Sequence, residues 1–188
     1  MTKICLIRHG QTDYNKEGKI QGRIDNVLNA TGKNQAKKTA LLINTKKYKF
    51  DLFYSSPLLR AYETSQIIKK EIKFTSDIIK SDKFIERAFG KLEGAKLSEE
   101  TYKTLDKDST IGLEPISDLK QRSYNAIIEI AKEHEGKSIL ITSHAQFIKA
   151  IICTIDEEFD FKSLIKNSSL NHFIYENNKL TIVKLNEV

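Results

Sequence analysis

The chain has 188 residues, 39% of them hydrophobic and 30% charged, which fits one globular domain over 1–188 and excludes an extended or low-complexity chain. No apolar run approaches the ~20 residues of a membrane span, and the apolar start from Ile4 to Ile7 is too short for a signal sequence, so a cytoplasmic protein is expected. Residues 1–94 carry 19 Lys and Arg against 10 Asp and Glu, and residues 95–188 carry 12 against 15; no dense basic block with interleaved aromatics accompanies that excess, so neither nucleic acid nor a membrane is an expected partner.

The run from Lys3 to Ile7 reads as a buried strand. Residues 8–30, with three glycines and several Asn and Asp, read as a long polar loop, which in a compact domain points to function. Thr31 to about Lys47 reads as a helix capped by Thr31, with Ala36, Ala40, Leu41 and Ile43 on its apolar face. Residues 51–54 make a second strand, and Ser56-Pro57 opens a helix to about Glu71, serine capping and proline at its first position. A third strand is expected over 75–79 and a short polar helix over 98–106. Ser117 caps a stronger helix to about Glu135, with Leu119, Ala126, Ile127, Ile130 and Ala131 at helical spacing and Gly136 as its stop. Residues 138–142 form another apolar strand, 145–154 a helix, and 171–176 with 179–185 a hairpin around Asn177-Asn178. Strands alternating with helices and ending in a β tail imply a three-layer α/β/α sandwich on a mostly parallel sheet. Cys5 and Cys153 lie in apolar runs and read as reduced core cysteines.

Only five of the 31 cationic residues are arginine: Arg8, Arg23, Arg60, Arg87 and Arg122. A chain that defaults to lysine has reason for a planar fork where phosphate or carboxylate must be gripped through two hydrogen bonds. Arg8-His9-Gly10, Ser55 to Arg60 and Ser143-His144-Ala145 each follow a strand's carboxyl end, where open α/β sheets place ligands. Two arginines and two histidines at one sheet edge can neutralise a tetrahedral dianion, and a neutral imidazole there can attack phosphorus. Taken singly, His9 reads as a turn residue, Arg60 as a solvated helix start, Glu86 as a partner of Arg87, and Arg122 as a helix-face charge. His134 and His172 read as structural, and Asp156-Glu157-Glu158 as a solvated turn. No metal-ligand spacing is present.

The stretch L-I-R-H-G-Q-T-D-Y-N (Leu6 to Asn15), followed by Gln21-Gly22, S-S-P-L-L-R-A-Y-E-T (Ser55 to Thr64), E-R-A-F-G-K-L-E-G (Glu86 to Gly94) and Ser143-His144-Ala145, resembles the histidine phosphatase superfamily, also called phosphoglycerate mutase-like. The resemblance covers nearly the whole chain in order. It implies that His9 becomes phosphohistidine, that Arg8, Arg60 and His144 complete the phosphate pocket, and that Glu86 serves as proton donor and then base, a role suited to a carboxyl sheltered from water. Asn15, Gln21, Gly22, Arg87 and Ala145 would contact the substrate, with no metal and no cofactor. Ala145 stands where the family usually has glycine.

The resemblance leaves two reactions, hydrolysis of a small phosphomonoester or transfer between the hydroxyls of phosphoglycerate. The family's glycolytic mutases carry a longer cover with paired arginines, whereas the cover here, about 87–116, offers only Lys96, Lys103 and Lys107 between Gly94 and Ser117. A phosphatase is therefore expected. A cofactor-dependent mutase is the alternative, supported by Arg87 after Glu86, and a non-catalytic phospho-ligand binding module is the second alternative.

Overall fold

The computed structural model describes residues 1–101 and 112–188. Strands β1 (Thr2–Arg8), β2 (Leu52–Ser55), β3 (Ile78–Lys80) and β4 (Ser138–Ser143) are parallel, and β5 (Leu170–Glu176) and β6 (Lys179–Glu187) add an antiparallel edge, giving the order β3-β2-β4-β1-β5-β6. Alternation along the strands sends side chains to opposite faces. Ile4, Leu6, Ile139 and Ile141 pack with Ala126, Ile127, Phe147 and Ile151 on one side, and Cys5, Ile7, Phe53 and Leu140 pack with Ala36, Ala40, Ile43 and Ile68 on the other. Helices α2 (Ala30–Thr45) and α3 (Leu59–Glu71) therefore cover one face, and α4 (Ile116–Glu133) and α5 (Ala145–Ile155) the other, which is the expected three-layer sandwich. Each large aliphatic side chain fully buried between layers contributes about 1.5–3 kcal/mol relative to exposure.

Strand register places the site. Arg8 pairs with Ser143 and Ser55 with Thr142, so β1, β2 and β4 end level at one edge. The backbone ladder runs one residue further, from His9 N–H to the Ser143 carbonyl and from Ser56 N–H to the Thr142 carbonyl, delivering the three motifs side by side.

Several boundaries differ from expectation. The polar loop contains a short helix, α1 (Asp13–Glu17), held by reciprocal capping between Thr12 and Asn15 rather than by an apolar face. Asn29, not Thr31, caps α2, accepting from Gly32 N–H, and Leu41 points to solvent. Helix α3 begins at Leu59, after Ser56-Pro57, with no side-chain cap; the Ser56 hydroxyl pairs with His144 instead. Pro115, not Ser117, stands at the cap of α4. The third strand lies at 78–80 instead of 75–79. Of the helix expected over 98–106, residues 99–101 are helical and the remainder falls outside the described residues, as do Lys103 and Lys107. The tail hairpin turns at Asn177 and Asn178, both with positive φ, the turn that matches strand twist. Both cysteines are buried and unpaired.

Candidate active site

The level strand ends floor a cleft of about 360 Å³. Of the ten residues singled out from sequence, Arg8, His9, Asn15, Gln21, Gly22, Arg60, Glu86, Arg87 and Ala145 line it. His144 does not; it lies fully buried beside His9, ring centroids 5.3 Å apart.

His9 is held at both ring nitrogens. Nδ1 lies 2.7 Å from the Gly10 carbonyl, which can only accept, so the proton sits on Nδ1. Nε2 keeps its lone pair and accepts from Arg60 Nε at 3.2 Å. Burial, then the positive charges of Arg60 and Arg8, hold the imidazole pKa well below its usual value. Behind the ring, the Gly10 N–H donates to the Thr64 hydroxyl, and Asn167 Nδ2 donates to the His9 carbonyl. Gly10 admits no side chain, because a Cβ would meet the Gly32 carbonyl oxygen at 2.6 Å where the loop crosses α2.

Arg60 is fully buried, with Nη2 donating to the Gly22 carbonyl (2.7 Å) and Nη1 to that of Ile24 (2.8 Å). The helix-start position that suggested a solvated arginine is thus a fixed guanidinium in the cleft wall. Arg8 donates through Nη1 to the Ile165 carbonyl, and its buried Nε has no partner. Burial lowers both guanidinium pKa values to about 10, so both stay cationic at neutral pH. His144 pairs Nε2 with the Ser56 hydroxyl at 2.8 Å and leaves Nδ1 buried without a partner. Arg8 Nε and His144 Nδ1, on residues next to His9 in the chain and in ring contact with it, are thus buried nitrogens without a hydrogen-bond partner.

Glu86 is 6% exposed. Oε1 accepts from the backbone N–H of Arg87 (2.9 Å) and Phe147 (3.2 Å), and Oε2 from that of Gln146 (3.3 Å). The carboxylate therefore seats on the amide-rich start of α5, which lacks a side-chain cap of its own. The Arg87 guanidinium turns away to the Glu114 carbonyl and the Phe89 ring, so the two side chains are not simply an ion pair. Arg122 also does more than decorate a helix face: it grips Glu114 through two nitrogens and donates to the carbonyls of Ile85 and Glu86, fixing the segment that carries Glu86. Burial, the largest single influence, would raise the Glu114 pKa, but the hydrogen bonds and charge of Arg122, the Ala88 N–H and the charge of Arg23 together outweigh it and hold the carboxyl below its usual value.

Residues 4–188 match the family described as the histidine phosphatase superfamily (branch 1). The chain belongs to this superfamily. A Bacillus subtilis protein named as an uncharacterized phosphatase, PhoE, is 33% identical over 99% of this chain and 95% of its own. A 2,3-bisphosphoglycerate-dependent phosphoglycerate mutase from Thermoplasma acidophilum is 32% identical over 88% of this chain and 83% of its own. The crystal structure of a mutant phosphoserine phosphatase from Entamoeba histolytica, in complex with phosphoserine, matches with a TM-score of 0.83 at 29% identity, covering 99% and 97% of the two chains. The protein is a hydrolase of the phosphatase type.

In this histidine phosphatase the roles of Ser56, Thr64, Asn167 and Ser168 were not anticipated. Ser56 and Thr64 fall inside the quoted stretch 55–64, so their placement was within reach. Asn167 and the Ser168 N–H, which donates to the Arg8 and His9 carbonyls, come from an irregular segment with no periodicity or motif. His134 on the Tyr54 hydroxyl and His172 on Glu187 are structural contacts, as expected. Among the described residues no helix is long and apolar enough to cross a membrane.

The two buried histidines predict a particular acid response. Burial, reinforced by Arg60 and neighbouring positive charge, lowers the folded pKa of both His9 and His144 well below 6.5. Above ~6.5 both states hold neutral imidazoles; below it only the unfolded chain takes up protons, so stability falls as pH falls. Each such histidine contributes a slope of about 1.4 kcal/mol per pH unit. Denaturant unfolding of the wild type and His144→Asn between ~6.5 and ~5.5, above the bulk of carboxylate titration, should give a shallower slope for the variant. Equal slopes would contradict the burial argument.

Proposed function

We propose that this protein hydrolyses small phosphate monoesters without a metal, through a phosphohistidine on Nε2 of His9. The observation that carries the reading is the His9 tautomer: the Gly10 carbonyl fixes the proton on Nδ1 and leaves a lone pair on Nε2 beside the Arg60 guanidinium. A depressed imidazole pKa keeps that lone pair available in mildly acidic solution.

In the first step Nε2 attacks phosphorus as the ester oxygen departs. Protonated Glu86 gives its proton to the leaving alkoxide, so the N–P bond forms while the P–O bond breaks. In the second, Glu86 takes a proton from water, which attacks the phosphohistidine, releases inorganic phosphate and restores the imidazole. Arg8 and Arg60 supply the charge stabilisation that Mg²⁺ provides in many phosphoryl-transfer enzymes. His144 supplies a donor to a phosphoryl oxygen through its unpartnered Nδ1. Asn15, held to Thr12 and Asn167, and Gln21, held to the Thr12 hydroxyl, shape the wall where the alcohol half rests.

A second reading, phosphoglycerate mutase, is favoured by Arg87 at the cleft wall and shares the first step. The test is phosphate release in EDTA from p-nitrophenyl phosphate, sugar phosphates, phosphoserine and 3-phosphoglycerate, with 2-phosphoglycerate followed in parallel. Release unchanged by EDTA is expected. Isomerisation without release would select the mutase, loss on chelation restored by Mg²⁺ would overturn metal independence, and silence throughout would leave a binding module.

A further inference from the structure

Arg8 and His9 are backed by a segment without regular secondary structure, residues 164–169. The Ile165 carbonyl accepts from Arg8 Nη1, Asn167 Nδ2 donates to the His9 carbonyl, and the Ser168 N–H donates to the carbonyls of Arg8 and His9. Leu164 and Ile165 also line the cleft. A segment with no ladder of its own needs outside partners for its backbone groups to hold such a geometry.

Asn186, near the end of β6, is such a partner. On β5 two steps separate Leu170 from His172, whereas on β6 three separate their partners Glu187 and Lys184, so β6 carries an extra residue there. Asn186 takes the left-handed conformation at this bulge, with φ 56°, and its N–H donates to Oδ1 of the buried Asn171 at 3.0 Å. A bulge breaks a strand's alternation and can re-aim a side chain. Here the Asn186 carboxamide meets the irregular segment: Oδ1 accepts from the Lys166 N–H and Nδ2 donates to the Leu164 carbonyl, both at 2.8 Å. The two contacts bracket Ile165, whose carbonyl holds Arg8. Both need an acceptor and a donor side by side on one short side chain, and asparagine is among the few residues besides glycine that tolerate the left-handed backbone.

We infer that Asn186 is a positioning residue for the phosphate site: by clamping Leu164 and Lys166 it sets the Ile165 carbonyl, and through that carbonyl the direction in which the Arg8 guanidinium meets the phosphoryl group. Without the clamp Arg8 stays cationic but is no longer aimed, and a small misplacement of a charge-stabilising group is costly in rate. This inference rests on the phosphatase reading above.

The test is a double-mutant cycle. Asn186→Gly keeps the left-handed backbone and the bulge but removes both side-chain contacts, and Arg8→Met removes the guanidinium. Two quantities are read on the four proteins: kcat/KM for p-nitrophenyl phosphate and, independently of turnover, the dissociation constant of inorganic phosphate by calorimetry. On the wild type, Asn186→Gly should lower kcat/KM and weaken phosphate binding roughly ten-fold, within the range for residues coupled in one hydrogen-bond network. On Arg8→Met the same substitution should change either quantity by less than about two-fold, whereas a merely structural role would act alike in both backgrounds. A change under about two-fold on the wild type, or an equal loss in both backgrounds, would overturn the inference. If Asn186→Gly is not folded by circular dichroism, Asn186→Asp carries the same comparison, since it tolerates positive φ and keeps the Lys166 contact but turns an acceptor on the Leu164 carbonyl. Coupling in phosphate affinity without turnover of any ester would support the clamp while overturning the phosphatase, and neither turnover nor phosphate binding would overturn both.

Discussion

Replacing His9 with alanine is expected to lower kcat by roughly ten-thousand-fold or more, the scale seen when a covalent nucleophile is removed, with the fold unchanged. In the proposed mechanism the imidazole contributes the lone pair that forms the bond to phosphorus, and the cleft residues that remain would have no group to accept the phosphoryl covalently. The structural cost is contained. Arg60 loses its contact to Nε2 but keeps the carbonyls of Gly22 and Ile24, and removing a ring that lines the cleft opens a path for water to the Gly10 carbonyl it leaves. Far-UV circular dichroism should match the wild type while phosphate release from any ester disappears. Turnover within ten-fold of wild type would remove His9 from the mechanism.

Glu86→Gln should produce the second largest effect and should depend on the leaving group. For alkyl esters, whose alkoxide needs a proton, kcat/KM should fall about 10²- to 10⁴-fold, the usual worth of a positioned acid. For p-nitrophenyl phosphate, whose phenolate leaves unprotonated, the fall in kcat/KM should be much smaller. Steady-state kcat for that ester should still drop, because hydrolysis of the intermediate also loses its base, and a burst of nitrophenolate should precede the slow phase. Glutamine suits this experiment, since its carbonyl can keep the amides of Arg87 and Phe147 and surrender only the longer contact to Gln146. Equal losses of kcat/KM for both ester classes would make Glu86 a positioning residue.

Legibility in the sequence followed the physics of each signal. Strands β1 and β4 are apolar runs buried on both faces, and their ends were readable to within a residue; α4 and α5 carry apolar stripes that declared themselves. Capping was less legible, because Asn29, Thr31, Ser56 and Ser117 are chemically equivalent candidates until tertiary contacts choose. Ser56 shows why: its hydroxyl is drawn to His144, 88 residues away, and α3 starts without it. At the site, residues bearing distinctive chemistry beside strand ends were visible, and nine of ten line one cleft. What stayed hidden were roles made by long-range geometry: Arg122 on the carbonyls of Ile85 and Glu86, Asn167 behind His9, and Glu86 seated on the amides that open α5. Local pattern assigned Arg122 to a helix face because the carbonyls it grips lie more than thirty residues away.

The central claim is the covalent intermediate, and the direct measurement is its capture. Glu86→Gln protein mixed with excess p-nitrophenyl phosphate, quenched in alkali during the burst and digested, should yield one phosphorylated peptide. The label should be stable to base and labile to acid, as an N–P bond requires, and should map to His9 and disappear in the double variant with His9→Ala. Phosphate transferred without any such adduct, or an adduct on another residue, would contradict the account.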